Sequence, residues 1–104
     1  MASGILGTPT DLTADTLATL YTCPATTFTV ASVSVCNRSS SPTSIRIAIA
    51  STDTPTDAEW IEYDASLSAN GVLERTGIIL DSGRNIVVQS SNADVNAIAY
   101  GIKT

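Results

Sequence analysis

Residues 44–50, Ser44-Ile45-Arg46-Ile47-Ala48-Ile49-Ala50, carry the clearest strand pattern in the chain. Three isoleucines alternate with one arginine and two alanines. Because successive side chains of a β-strand point to opposite faces, one face is fully apolar and the other is small or charged. The pattern predicts a strand whose isoleucines line a core, with a small face that suits close packing against another sheet or another subunit.

On both sides of this strand, turn signals recur about every 8–12 residues, a spacing typical of a β-sandwich or barrel. Further strand patterns lie before and after it, at residues 4–8, 18–22, 27–36, 60–64, 72–80, 86–90 and 95–102. Thr54 and Pro55 are typical of a helix start with Asp57 reaching back, but only one turn fits there. The sequence predicts an all-β, antiparallel β-sandwich of seven or eight strands, Ig-like or jelly-roll-like, with no long helix.

The 104 residues suit a single domain. We expect residues 1–16 to form an N-terminal arm with a short strand, and residues 17–104 to form the sandwich. The apolar phase changes between Val30 and Val33, which predicts a bulge near Ala31-Ser32 or a strand that passes between two sheets.

Charge is scarce, at 14% of residues, and the formal net charge is −5. The five basic residues are scattered: Arg38, Arg46, Arg75, Arg84 and Lys103. Binding to nucleic acid or to an anionic membrane needs a clustered basic face, so we expect neither. Met1-Ala2-Ser3-Gly4 lacks the basic and apolar regions of a signal peptide, so we expect synthesis and first folding in a cytoplasm.

Few residues in this sequence are of the types that support catalysis. There is no His, which excludes Ser-His-Asp and Cys-His arrangements within the chain. Lys103 is the only Lys, and no Gly-rich phosphate loop is present. We therefore expect a protein that is not an enzyme and that has no catalytic or cofactor-binding residues.

Five carboxylates fall within twelve positions: Asp53, Asp57, Glu59, Glu62 and Asp64. Such a group is compatible with acid–base chemistry on a glycoside or with a calcium site. However, Asp53 and Asp57 suit turn and cap positions, and Glu62 and Asp64 suit a solvated strand face. We favour these structural roles and expect no metal site.

Cys23 and Cys36 are the only cysteines. If residues 20–22 and 28–35 form a hairpin, Cys23 lies beside the turn and Cys36 lies far from it. A disulfide needs Cα atoms within about 7 Å, so we predict two buried free thiols.

Five residues are candidates for an interface between subunits: Trp60, Tyr63, Arg46, Glu74 and Arg75. Strict alternation places Trp60 and Tyr63 on opposite faces of one strand, so both faces carry apolar groups and a second buried surface is implied. A carbohydrate platform is the alternative role for Trp60. Glu74 and Arg75 also alternate, so one of them faces a packed side and needs a partner, which hints at a salt bridge between subunits.

Several segments together resemble small β-sandwich structural proteins of tailed-bacteriophage virions, including those of cyanophages. The resemblance covers residues 17–102, and Cys23 departs from it where an aliphatic residue is usual. The segments are Leu20-Tyr21-Thr22-Cys23-Pro24-Ala25, Val35-Cys36-Asn37-Arg38, Ile45-Arg46-Ile47-Ala48-Ile49-Ala50, Trp60-Ile61-Glu62-Tyr63-Asp64, Ala69-Asn70-Gly71-Val72-Leu73-Glu74-Arg75-Thr76-Gly77 and Tyr100-Gly101.

The resemblance implies a non-enzymatic virion component present in many symmetric copies and assembled in the host cytoplasm. We expect a capsid decoration or cement protein, a homotrimer or other symmetric oligomer, that binds the major capsid protein through edge strands and the arm. The alternatives are a tail, baseplate or fibre component that binds glycans, and an accessory domain of an enzyme with a calcium site.

Overall fold

A computed structural model of the chain describes residues 2–104, and eight β-strands account for most of them. Their bounds are β1 (Ala2–Leu12), β2 (Ala18–Thr22), β3 (Thr29–Asn37), β4 (Thr43–Ala50), β5 (Trp60–Leu67), β6 (Val72–Leu80), β7 (Asn85–Ser90) and β8 (Val95–Lys103). The helical content of residues 2–104 is one 3₁₀ turn, Asp57–Glu59, and no helix there is long and apolar enough to cross a membrane. The prediction of an all-β fold without a long helix is confirmed.

The strands form two antiparallel four-stranded sheets. The first sheet has the order β1-β8-β3-β6 and the second has the order β2-β7-β4-β5. The pairings are nested, since β4 pairs with β5, β3 with β6, β2 with β7 and β1 with β8. One long hairpin that is folded over on itself gives this order, which is that of a jelly roll. The predicted sandwich is therefore of the jelly-roll type and not of the Ig type.

The inward faces of both sheets build one core. Ile45 and Ile47 of β4 are fully buried, as their alternation predicts, and they lie among other aliphatic side chains such as Val33 and Ile86. Burying each such side chain contributes about 1.5–3 kcal/mol relative to leaving it exposed. The alanines of the small face of β4 are also buried: Ala48 and Ala50 lie in a second, smaller cluster with Val87, whereas Arg46 on the same face is partly exposed.

The N-terminal segment differs from the expected arm. Residues 2–12 form one strand that pairs with β8 from Ala2 opposite Lys103 to Leu12 opposite Val95. Leu6 and Leu12 are buried in the core, so this segment belongs to the sandwich. The register shifts between Leu6 and Thr10, which breaks the apolar alternation. For this reason the sequence pattern predicted a strand shorter than the one observed.

The edge strands of the two sheets are β1, β6, β2 and β5. Each of them is bulged, with at least one extra residue where it pairs with its inner neighbour. Shifts occur in the β1–β8, β2–β7 and β3–β6 pairings, and two occur between β4 and β5. The two interior pairings, β3–β8 and β4–β7, run without a shift. Bulged edges resist pairing with a further strand, so none of the four edges offers a regular template.

The irregularity predicted near Ala31-Ser32 is present, but the bulge is not in β3 itself, and β3 does not pass between the two sheets. This strand alternates without a break, with Thr29, Ala31 and Val33 buried. The register does shift opposite Ala31 and Val33, but the extra residue lies in β6, where Gly77 adopts a φ of +72°. Val30 appeared out of phase because it is an apolar residue on the outer face, where it is 43% exposed.

The two thiols are free, as predicted, but only Cys23 is fully buried, and Cys36 is half-buried. The assumed hairpin is also wrong, because β2 and β3 lie in different sheets. The sulfur of Cys23 accepts a hydrogen bond from the Thr29 hydroxyl at 3.3 Å, which satisfies both groups in the core.

The single helical turn begins two residues later than predicted. Thr56, and not Thr54, precedes it. The Glu59 carboxylate, and not that of Asp57, reaches back and accepts the backbone N–H of Thr56 at 2.8 Å. Glu59 also accepts the backbone N–H of Ser51 at 3.0 Å, so this carboxylate organises the whole β4–β5 connection.

Candidate interaction surfaces

A groove runs over the outside of the second sheet. Arg46 and Gln89 face each other on neighbouring strands β4 and β7 and point away from the core. Together with Asp15 they line both a groove of about 740 Å³ and an adjoining hollow of about 270 Å³. Trp60 lines the groove and Asp64 lines the hollow. We call the space bounded by these five residues the outer groove.

Two aspartates with left-handed backbone, Asp15 and Asp64, flank the outer groove. Their φ angles are 56° and 54°, a conformation that Asp tolerates better than most residues. Asp15 lies in the β1–β2 turn, which is held over the sheet because its N–H donates to the carbonyl of Ser90 at 2.8 Å. Asp64 lies where β5 bulges away from β4, so its carboxylate is aimed along the outer face.

Arg46 and Asp64 form a bidentate ion pair. The Nε of Arg46 donates to one carboxylate oxygen at 2.6 Å, and Nη2 donates to the other at 3.2 Å. This hydrogen bonding lowers the pKa of Asp64 and raises the pKa of Arg46. Both groups are therefore charged at neutral pH, and the guanidinium plane is held in a fixed orientation.

Trp60 and Tyr63 lie side by side, in contrast to the alternation that placed them on opposite faces. Their ring centroids are 5.5 Å apart in an edge-to-face arrangement, and the guanidinium carbon of Arg46 lies 4.0 Å from the Tyr63 ring centroid. The two extra residues in β5 break the alternation and bring the rings together. Three of the five interface candidates, Trp60, Tyr63 and Arg46, thus gather at one place.

The other two candidates lie elsewhere and have partners within the chain. The Nη1 of Arg75 donates to the Glu62 carboxylate at 2.8 Å, which links edge strand β6 of one sheet to edge strand β5 of the other. Glu74 accepts the hydroxyl of Tyr100 at 2.5 Å on the outside of the first sheet, and this hydrogen bond raises the pKa of Tyr100. The charge that needed a partner is therefore satisfied without a second subunit.

The five clustered carboxylates of the sequence do not converge in space. Glu59 contacts Arg84, while Glu62 and Asp64 contact two other arginines. Among residues 2–104, no three His, Cys, Asp or Glu side chains come close enough together to hold a metal ion.

An exposed apolar patch covers one end of the outer face of the first sheet. Ile102, Val30 and Ile79 are direct cross-strand neighbours on β8, β3 and β6, and they are 47%, 43% and 67% exposed. Ile5 on β1 and Phe28 just before β3 are more than half exposed at the same end. We call these five residues the apolar patch.

Sequence reasoning missed the apolar patch, although two signals were present. Val30 broke the apolar phase of β3, and the consecutive Ile78 and Ile79 placed one isoleucine on each face of β6. The phase change at Val30 was instead attributed to a bulge, and the pair Ile78-Ile79 was not interpreted. The apolar patch and the outer groove lie on different sheets and face in opposite directions.

Comparison of the chain with protein-family models, with curated proteins and with solved structures found no match. The roles of the two surfaces are therefore inferred from their own geometry and chemistry.

Proposed function

We propose that this chain is a non-enzymatic structural protein of a tailed-phage particle, attached to the outside of the shell as a decoration or cement protein. The observation that carries the proposal is the apolar patch on a rigid sheet face. Jelly rolls also build many viral capsid proteins, which supports the proposal as an analogy of fold.

The composition of the apolar patch suits a protein partner. Ile102, Val30 and Ile79 form a continuous row, and none of the five patch residues carries an ionisable group. Apolar centres of this kind mark protein–protein contacts, where charge is depleted and large apolar side chains are buried. We assign the major capsid protein as the partner, with the contact repeated in every copy so that weak attachments add up over the particle.

Attachment through a sheet face replaces the attachment through edge strands and an arm that the sequence favoured. Residues 2–12 are already paired with β8, and every edge strand is bulged. A face remains available for contact without any rearrangement of the sandwich. In this proposal the copies are related by the symmetry of the shell, with a homotrimer at a local three-fold position as the simplest closed arrangement.

A tail, baseplate or fibre position is the alternative location, since the apolar patch is equally suited to a tail protein. Image reconstruction of the particle, with density for this chain assigned, separates head from tail directly. If purified particles contain no copy of the chain, the proposal is wrong.

Binding to particles tests the attachment surface. Particles that lack the protein are mixed with the purified chain and sedimented. We expect the wild-type chain to co-sediment, and the double variant Val30→Ser, Ile79→Ser to bind at least tenfold more weakly, because about 1.5–3 kcal/mol of burial per side chain is lost. Gln89→Ala, on the opposite face, is the matched control and keeps wild-type binding. Equal binding by the double variant would overturn the assignment of the patch.

A further inference from the structure

We propose that the outer groove binds a neutral glycan. It lies on the sheet opposite the apolar patch, so it stays accessible when the patch is covered. The inference does not depend on attachment to a phage particle, and its test uses the isolated chain.

Unused hydrogen-bonding groups converge on the outer groove. No hydrogen bond within residues 2–104 engages the side-chain amide of Gln89 or the carboxylate of Asp15. Arg46 uses Nε and Nη2 on Asp64 and retains the N–H groups of Nη1. Donors and acceptors therefore lie side by side, and a sugar hydroxyl needs both, since it donates one hydrogen bond and accepts others.

The charges of the outer groove select against other classes of ligand. Asp15, Asp53 and Asp64 contribute three carboxylates to its lining, against the single guanidinium of Arg46. An anionic ligand such as a phosphate or a sialylated sugar meets net repulsion there. A metal ion lacks a sufficient cluster of ligands among residues 2–104. A neutral, hydroxyl-rich ligand satisfies the polar groups without adding charge.

Trp60 supplies the apolar component of the site. Trp60 lines the groove, and together with Tyr63 it also lines a further hollow. An aromatic ring beside convergent polar groups offers a surface for the C–H face of a sugar ring. The groove volume of about 740 Å³ lies within the range of about 300–1,000 Å³ that is usual for small-ligand sites.

A glycan array that carries neutral, sialylated and sulfated oligosaccharides tests the inference on the purified chain. We expect binding to neutral oligosaccharides only, and calorimetry with the strongest of them then gives the affinity. Absence of binding to every neutral oligosaccharide, or a preference for the anionic ones, would overturn the proposal.

Variants locate the binding site. Gln89→Ala removes a donor and an acceptor from the floor of the groove, and Asp15→Asn keeps a residue that tolerates the left-handed backbone while it removes one charge. We expect each to lower the affinity at least tenfold with an unchanged melting temperature, whereas Ser34→Ala, on the first sheet, retains wild-type affinity. Wild-type affinity in Gln89→Ala would place any glycan site elsewhere. Failure of this proposal leaves the binding of the apolar patch to particles unaffected, so the two are separately testable.

Discussion

Four arginines each form an ion pair with a carboxylate of another strand or connection of the same chain. The pairs within residues 2–104 are Arg38–Asp11, Arg46–Asp64, Arg75–Glu62 and Arg84–Glu59, at 2.5, 2.6, 2.8 and 3.2 Å. Ion pairs at a protein surface contribute little to stability, because solvent screens the charges and the side chains lose conformational freedom. Their main effect is to orient side chains, as the outer groove shows for Arg46.

Glu59 makes stability depend on pH. Its pKa is lowered, chiefly by hydrogen bonds from backbone N–H groups. Because the pKa is lower in the folded chain than in the unfolded chain, the contribution is present above the unfolded value and is lost as pH falls through the folded value. We expect the melting temperature to fall between about pH 5 and pH 3, and to fall less in Glu59→Gln.

Asp57→Asn, in the same turn, is the control for this measurement and should follow the wild-type curve. A Glu59→Gln curve that is parallel to that of the wild type throughout this pH range would contradict the role of Glu59.

Gly101 occupies a position that no other residue fits. Its φ is +151°, and a Cβ there would lie 2.1 Å from the carbonyl oxygen of Val30 on the neighbouring strand. We expect Gly101→Ala to cost more than about 3 kcal/mol in urea unfolding, since β8 and β3 must move apart. Gly83→Ala isolates the backbone cost, because Gly83 has a φ of +83° in open space. It should cost about 1–2 kcal/mol, and equal losses in both variants would contradict the clash.

Residue type and local alternation predicted only part of the outer groove. Arg46 and Trp60, which line the groove, and the neighbouring Tyr63 were identified as interface candidates because they add charge or apolar bulk to a strand face. Asp15 and Gln89 were not identified as candidates. They lie close to each other only because the turn that contains Asp15 is held over β7 by a backbone hydrogen bond. A contact of this kind leaves no periodic signal in the sequence.

The buried and exposed faces of the strands are clearest in β4 and β6. Ile47 of β4 is fully buried, whereas Ile79 of β6 is 67% exposed. We expect Ile47→Ala to lower the free energy of unfolding by about 2–5 kcal/mol, because it leaves a cavity in the core. Ile79→Ala should change that free energy by no more than about 0.5 kcal/mol. Similar losses for the two isoleucines would show that the faces are wrongly assigned.

The positions of most strands were predicted well, including those of the bulged strands β2 and β6, whereas β1 and β5 were not. The isoleucines of β4 defined its buried face, and the 3₁₀ turn was expected within two residues of its place. β1 was predicted too short and the side chains of β5 were assigned to the wrong faces, because extra residues interrupt the period of two. Since those extra residues lie in edge strands, where pairing on one side is missing, the local sequence constrains them less.

At the scale of the whole molecule, composition and turn spacing predicted the β-sandwich but left its type open. The choice between Ig-like and jelly-roll-like depends on pairings such as β1 with β8, which join the two ends of the described chain. No local pattern encodes which distant strands become neighbours.

The pairing of Ala2 with Lys103 places the two ends of the described chain side by side. We expect a circular permutant, with these ends joined by a short Gly-Ser linker and the chain opened in the exposed turn at Gly83, to fold with the same strand order. Circular dichroism and the melting temperature check this, with a permutant opened inside β4 as the negative control. A Gly83 permutant that is as unfolded as the control would contradict the expectation.

The nested pairing also implies an order of events in time. The β4–β5 pairing closes the shortest loop, and each further pairing encloses more of the chain, so the entropic cost of closure grows outward. Folding is therefore expected to start at β4–β5 and to proceed toward β1 and β8. During synthesis, β1 emerges first of the eight strands and must wait for β8, which emerges last. Until β8 has left the ribosome, Leu6 and Leu12 have no completed sheet to join, so the sandwich can finish folding only after that strand has been synthesised.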